Sequence, residues 1–313
     1  MALFGYIQIT RNCNQKCRFC SNPPSGFKDL SFEKIKRIID RYINKKYQGV
    51  ILTGGEPTLH KDLFKIIEYC RQKNFSCKLI TNGQKLKDKE YVEKLVEHGL
   101  QHFHISIYSH RKKIQAYLTQ NPHSFDNLQK AFKNLSNFVP HLTVNVNITI
   151  NKYNADHLSK LVRFIVEKWP FVNHFVFNNL DPISDRCKKN FDTIPQLNDF
   201  HLELIKSLQY LEKNKKTFRV ERVPLCYLPG FEWCSTETRK IVKSEKRPIY
   251  FLDKKGFKSQ KNFFYQKAPV CAHCKLFQIC AGLYQMDKYY NSKELYPVFI
   301  DPNTIISKIL NGK

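Results

Sequence analysis

From residue 5 to about residue 213, short runs rich in β-branched and aromatic residues alternate with longer amphipathic stretches. This is the rhythm of βα units that build a parallel sheet, so the fold class read from the pattern is α/β. Six units can be read. The expected strands are Gly5 to Thr10, Val50 to Thr53, Ser76 to Thr81, His102 to Ile107, Leu142 to Ile150 and Val172 to Phe177. The expected helices begin near Ser31, Lys61, Asp88, Ser124, Asn154 and Gln196. In the first of them Ile35, Ile38, Ile39, Tyr42 and Ile43 recur at the period of a helix laying one face on a sheet. Composition shifts near Lys213 to Lys216, after which the alternation fades and lysine, aromatics and cysteine dominate. The chain therefore divides, on sequence, into residues 1–215 and a smaller module of residues 216–313. No internal repeat beyond the βα rhythm and no low-complexity linker is evident.

Composition narrows the class. With 42% hydrophobic and 13% aromatic residues in 313, the chain can bury a substantial core. No apolar run approaches a membrane span, and the stretch from Met1 to Ile9 lacks a basic leader and reads as a first strand. A cytoplasmic protein with no membrane partner is expected. Eleven cysteines in such a chain point to metal or redox chemistry rather than to a disulfide framework. The formal charge of +25 has two readings. It suits nucleic acid, which a basic surface attracts without sequence preference. Yet the lysines are scattered through many helices beside frequent Asn and Ile, as an AT-rich genome also produces, and nucleic acid is the less favoured partner.

Two motifs carry the chemistry. Cys13, Cys17 and Cys20 form C-x3-C-x2-C, and one βα unit later comes Thr53-Gly54-Gly55-Glu56-Pro57-Thr58. Three thiolates on one loop can hold three irons of a 4Fe-4S cluster and leave the fourth open. Half a zinc site, or a disulfide with one thiol left over, would use the same cysteines but would not require the Gly-Gly-Glu-Pro turn. In their order and context the two motifs resemble the signature of radical SAM enzymes. The resemblance implies a partial, open (β/α)6 TIM-like barrel, with its reactive face at the C-terminal ends of the strands. It implies that the open iron chelates S-adenosylmethionine (SAM), which the reduced cluster cleaves to a 5′-deoxyadenosyl radical. Gly54 and Gly55 would bring backbone close to SAM, Glu56 would accept from its ammonium, and Pro57 would set the turn. Phe19 stands where the family has an aromatic beside the adenine. Asn82 and Ser106, ending the third and fourth strands, and Asn147 on the fifth are in places where similar enzymes contact SAM. Without the resemblance, Asn82 reads as an ordinary turn residue and Ser106 as a satisfied strand serine.

A second group, Cys271, Cys274 and Cys280, forms C-x2-C-x5-C, with Cys226 upstream. It resembles the SPASM and twitch extensions of radical SAM enzymes, which carry auxiliary iron-sulfur clusters. A full SPASM pattern has a further cysteine where Tyr284 stands, so one additional 4Fe-4S cluster is expected rather than two. Cys226 is favoured over Cys234 as fourth ligand because it lies in a Pro-bounded apolar run. A four-thiolate zinc site is the structural alternative. Cys70 and Cys77 read as buried apolar residues. Cys187, in a polar stretch after the sixth strand, is either a hydrogen-donating thiol or incidental.

The expected activity is hydrogen abstraction from a peptide or protein side chain, with an electron donor such as flavodoxin or ferredoxin. The module would close the open side of the barrel and leave a channel for a flexible chain, and basic walls would suit an acidic leader peptide. With no evident leader-binding domain before the first strand, the expectation is that the module or a separate partner would recognise such a leader. Three competing readings are a cofactor or small-metabolite synthase similar to the molybdenum-cofactor cyclase, an RNA-modifying enzyme, and a basic metal-binding nucleic-acid protein without enzymatic activity. The first lacks that family's cysteine spacing and glycine-rich tail. Asp181, Glu221, His104 and Tyr108 lie where acid–base residues would stand, but the sequence assigns none of them a catalytic role.

Overall fold

The short polar residues that punctuate the chain become helix caps. Ser31 accepts from the Lys34 amide at 3.4 Å and Asp88 from the Tyr91 amide at 3.4 Å, while Gln196 and Asp199 form a reciprocal capping box. The computed structural model describes residues 4–23, 26–253 and 255–312. The six expected βα units are β1 (Phe4–Thr10) with α1 (Phe32–Asn44), β2 (Gly49–Gly54) with α2 (Leu63–Gln72), and β3 (Ser76–Thr81) with α3 (Lys89–Glu97). Then follow β4 (His102–Ser106) with α4 (Lys112–Thr119) and α5 (Ser124–Ser136), β5 (Thr143–Ile150) with α6 (Leu158–Lys168), and β6 (Val172–Asn179) with α7 (Asp185–Lys189) and α8 (Leu197–Lys213).

The sheet continues past residue 216. A seventh strand, β7 (Thr217–Glu221), pairs in parallel with β6. After α9 (Thr236–Val242), β8 (Arg247–Tyr250) joins the far side of β1 in parallel and pairs antiparallel with β9 (Phe257–Gln260). The strand order is β7-β6-β5-β4-β3-β2-β1-β8-β9. The chain ends in α10 (Pro302–Leu310). Beyond β6 the strands are only four or five residues long and strongly polar, which is why periodicity alone did not reveal them.

Both faces of a parallel sheet are usually apolar. Here they differ. Ile7, Ile9, Leu52, Leu79, Phe103, Ile105, Val146, Phe175 and Phe177 point outward and are wholly buried under the helices. The alternate positions, among them Tyr6, His104, Asn147, His174, Asn178 and Arg219, face inward and line a cavity of about 360 Å³. Phe132 on α5 stacks on Trp169 at 3.9 Å and seals one part of the outer layer.

An ion pair crosses from β7 at one side of the barrel to β8 at the other. Arg247 Nη2 on β8 lies 2.9 Å from Glu221 Oε1 on β7, and α9 fills the space alongside, with the Ser235 position bridging to Val220. Burial alone would raise the Glu221 pKa, but Arg247, Arg222 and Lys240 outweigh it and hold the carboxyl below its usual range.

A depressed folded-state pKa stabilises the fold above the unfolded value and loses that contribution as pH falls through the folded value. Glu221→Gln, which leaves Arg247 half-buried without its partner, is expected to cost about 3–5 kcal/mol at neutral pH. In urea unfolding across pH, the gap between wild type and variant should stay constant above the ordinary glutamate value of about 4.3 and shrink below it. A gap unchanged at low pH would show that Glu221 does not act through its charge.

Candidate functional site

The loop after β1 and the turn after β2 are held together backbone to backbone. The Gly55 amide donates to the Thr10 carbonyl at 2.8 Å and the Glu56 amide to the Asn12 carbonyl at 2.7 Å. A Cβ on Gly54 would lie 2.1 Å from the Thr10 oxygen, and one on Gly55 would lie 2.3 Å from that of Asn12. Gly54 also has φ of +138°. The glycines are thus required by the approach of two chain segments, a reason separate from the approach to ligand that the sequence suggested.

Glu56 continues the lock. It is fully buried, and its Oε1 accepts from the Thr58 amide at 3.0 Å and from the Thr58 and Thr81 hydroxyls at 2.7 Å each, while Oε2 accepts from the Asn82 amide at 2.7 Å. Burial raises its pKa against the pull of these four donors. The carboxylate therefore joins the ends of β2 and β3. Neither Glu56 nor Pro57 is among the residues lining the adjacent cavity.

That cavity, about 220 Å³, opens at the C-terminal ends of the strands. Cys13, Cys17, Cys20, Phe19, Gly54, Gly55, Asn82 and Ser106 all line it. Burial raises the thiol pKa values, with Cys13 pushed to about 11. The amide of Asn82 donates to Asn14 Oδ1 at 2.7 Å and contacts Cys13 Sγ at 3.7 Å, tying the cysteine loop to β3. The phenyl ring of Phe19 meets the ring of Tyr108 edge-on at 4.7 Å. Asn147 lies elsewhere, in the wall of the inner cavity beside His104. The two cavities share Ile80.

Several residues of the site were not legible in sequence. The last carbonyls of α4, which a helix end leaves without intrahelical partners, accept from the cysteine loop: Lys16 N to Thr119 O at 3.1 Å and Arg18 N to Leu118 O at 2.9 Å. Gln15 and Gln115 both donate to Ser124 Oγ, and Gln115 Oε1 receives the Tyr108 and Ser109 amides. Arg222 and Thr149 also line the cavity, beside Asp181, which the sequence places among acid–base candidates. The hydroxyl of Tyr284 donates to Asp181 Oδ1 at 3.1 Å, so the residue in place of a SPASM cysteine meets a wall residue of this cavity. Arg222 has a left-handed φ of 58° and anchors its amide on Glu237 and its Nε on the Asn179 carbonyl. The contacts of Arg222 follow from the strand that begins at Thr217, which the sequence pattern did not reveal. Cys187 is buried, donates to the Asp181 carbonyl and does not line the cavity.

A second site lies in the C-terminal part. Cys226, Cys271, Cys274 and Cys280 line one small cavity together with Tyr296 and Lys267. Cys234 is not among them and sits near Arg219. The Tyr296 hydroxyl donates to the Cys226 carbonyl, and the Val298 and Gly282 amides donate to Cys274 and Cys280 sulfur at 3.3 and 3.4 Å.

The donor chemistry of the first site suits an iron-sulfur cluster. Three soft thiols line one wall, and Arg186 is close enough to pull the Cys17 and Cys20 pKa values down although burial prevails. Arg186 Nη1 is buried and finds no hydrogen-bond partner among the described residues, as expected beside an anionic group. Among the described residues, no three His, Cys, Asp or Glu side chains are gathered as ligands of a single ion would be.

Comparisons with known proteins agree. A family model described as the Radical SAM superfamily matches residues 7–165. The chain is 28% identical over 163 residues to a probable GTP 3',8-cyclase of Thermococcus kodakarensis, covering 50% of this chain and 51% of that protein. It thus spans about half the length of this relative. In structure it is similar to native anSMEcpe with bound AdoMet and Kp18Cys peptide, with TM-score 0.66 at 18% identity over 99% of this chain and 96% of the other. It also resembles Streptococcus suis SuiB bound to precursor peptide SuiA, with TM-score 0.58 at 20% identity over 70% and 49%. Likeness at these identities concerns the fold.

The glycine contacts lead to a direct test. Gly55→Ala is expected to push the cysteine loop off the turn at a cost of about 1–3 kcal/mol and to lower the iron retained after anaerobic reconstitution at least twofold. Gly26→Ala, where no heavy atom of the described residues lies within 4 Å of the added Cβ, should change neither iron content nor melting temperature. Equal iron in both variants would show that the backbone lock does not position the cysteines.

Proposed function

Since the chain belongs to the radical SAM superfamily of enzymes, which use a 4Fe-4S cluster and SAM, we propose that it modifies a peptide or protein side chain. The observation that carries the radical part of this reading is the convergence of Cys13, Cys17, Cys20, Asn82 and Ser106 on one strand-end cavity. When bound, the reduced cluster and SAM supply the 5′-deoxyadenosyl radical that takes a hydrogen atom from the substrate. Cys13, Cys17 and Cys20 would ligate the cluster. Asn82, Ser106 and the backbone of Gly54 and Gly55 would orient SAM, with Glu56 and Pro57 holding the turn rather than touching the ligand. Phe19, braced by Tyr108, supplies an apolar wall that keeps water from the reacting atoms.

The peptide assignment draws on the fold likeness, across 99% and 70% of this chain, to two structures that hold peptides. Residues 216–313 would serve two ends, completing the sheet beside residues 1–215 and carrying a second cluster on Cys226, Cys271, Cys274 and Cys280. Four protein thiolates leave no open iron, so that cluster would pass electrons or brace the module. A flavodoxin or ferredoxin would supply the first electron. A cytoplasmic setting suits such a donor, and no helix among the described residues is long and apolar enough to cross a membrane. A small-metabolite synthase is the second reading, favoured by the curated relative named as a GTP 3',8-cyclase.

Anaerobic reconstitution of the wild type beside Cys13/Cys17/Cys20→Ala, with iron, sulfide and zinc analysis and incubation with SAM and dithionite, tests the proposal. About eight irons falling to about four, with 5′-deoxyadenosine from the wild type alone, is expected. About four falling to none, with one zinc retained, would replace the second cluster by a structural ion. Absence of both iron and SAM cleavage would overturn the radical reading.

A further inference from the structure

The segment that follows β6 is fastened to the cysteine loop. Ser184 caps α7 by accepting from the Cys187 amide at 3.2 Å, and its own hydroxyl donates to the Cys20 carbonyl at 2.7 Å. Cys187 Sγ donates to the Asp181 carbonyl at 3.4 Å and ties the same turn back to the residues just after β6. Arg186 stands two residues beyond Ser184. Its backbone is therefore carried with the loop that holds Cys17 and Cys20.

The guanidinium on this strap has no partner of its own. Nη1 of Arg186 is buried without a hydrogen-bond partner, and no ion pair engages the side chain among the described residues. The acidic residues of the stretch are engaged elsewhere. Asp185 pairs with Lys188 at 3.1 Å, Asp181 accepts from Tyr284 at 3.1 Å, and Asp192 meets Arg18 at 3.6 Å and the Tyr153 hydroxyl at 2.6 Å. Arg11, whose charge also reaches Cys20, donates to Asn22 at 2.6 Å and lies 3.6 Å from Asp253. The charge of Arg186 reaches both Cys17 and Cys20, where it opposes the burial that raises those thiols. An unsatisfied buried guanidinium donor is unfavourable, so one kept beside thiols is matched to the negative group those thiols would hold. A 4Fe-4S cluster gains a negative charge on reduction, and its net charge and surroundings set its potential. A fixed cation stabilises the reduced form more than the oxidised one, most of all where water is excluded.

We propose that Arg186 sets the reduction potential of the first cluster, its positive charge raising that potential so that a one-electron carrier protein can reduce the cluster. This rests on the ligation by Cys13, Cys17 and Cys20 proposed above. One electron enters from the carrier, no bond is made or broken, and the guanidinium stays protonated throughout. The Ser184–Cys20 hydrogen bond keeps charge and thiols together, so α7 serves the redox step although its own Cys187 does not line the cavity.

The test reads a potential rather than turnover. The full-length protein and its Arg186→Gln and Arg186→Lys variants are reconstituted anaerobically, assayed for iron and sulfide, and titrated with dithionite against mediator dyes while the EPR signal of reduced clusters is recorded. The first cluster is the one whose signal changes when SAM is added to a parallel sample. At a given potential, Arg186→Gln is expected to lower the ratio of reduced to oxidised first cluster about tenfold, a shift of about 59 mV to the negative side for one electron. A signal that does not respond to SAM should stay where it is. Arg186→Lys keeps the charge and should remain within about threefold of the wild type. An unmoved potential in Arg186→Gln, an equal shift of both signals, or a change that appears only once SAM is bound would overturn the proposal, the last by assigning Arg186 to SAM. Iron lost alike from the Gln and Lys variants would also overturn it, since packing would then account for the residue. A wild type without a SAM-responsive cluster sinks the ligation reading itself. A SAM-responsive wild type beside an unmoved Arg186→Gln leaves that reading standing and removes only the role of Arg186.

Discussion

Everything at the reactive face hangs on the contact between the Gly54-Gly55 turn and the carbonyls of Thr10 and Asn12. Two amide–carbonyl hydrogen bonds at 2.7 and 2.8 Å hold the turn on the cysteine loop, and no side chain heavier than hydrogen fits between the segments. The Glu56 carboxylate extends the contact to β3 through Thr81 and Asn82, and the Asn82 amide returns to the cysteine loop. The result is a closed ring of hydrogen bonds linking β1, β2 and β3. Such a ring positions thiols without using the thiols themselves, which leaves them free to bind metal.

The second constraint is the unequal character of the two sheet faces. Helices cover the outer face, so its residues follow the hydrophobic effect and are wholly buried. The inner face is polar and encloses a cavity, a wall for chemistry rather than a packed core. A polar interior cannot hold the barrel closed by packing. The Glu221–Arg247 pair and α9 fill that role at the sides where the strands do not pair with each other. The same residues border the inner cavity.

Much of the fold was legible because its outer face is regular. Ile35, Ile38, Ile39 and Tyr42 announced α1, Ser31 and Asp88 announced their helix starts, and the cysteines marked both candidate metal sites. The strands from Thr217 onward were not legible, since short polar strands carry no amphipathic signal. Asn147 was placed with the SAM contacts by its strand position, yet its side chain points one layer deeper, into the inner cavity. Glu56, expected from its motif to accept from a ligand, also accepts from four donors of the chain itself, which its sequence position did not reveal.

Sequence by itself determined the cysteine motifs, with the family resemblance they carry, and the order of the first six βα units. Cysteine spacing is a local property of one loop, and βα periodicity is a local property of each segment, so both can be read without coordinates. Only the tertiary structure decided which distant residues meet. It brought Cys226 rather than Cys234 to Cys271, Cys274 and Cys280, set Tyr284 on Asp181, and gathered Arg219, Arg239, Lys240 and Arg247 around one cavity. These meetings depend on how a nine-stranded sheet curves and where its ends face each other, and curvature is a sum over the whole chain that no single segment encodes.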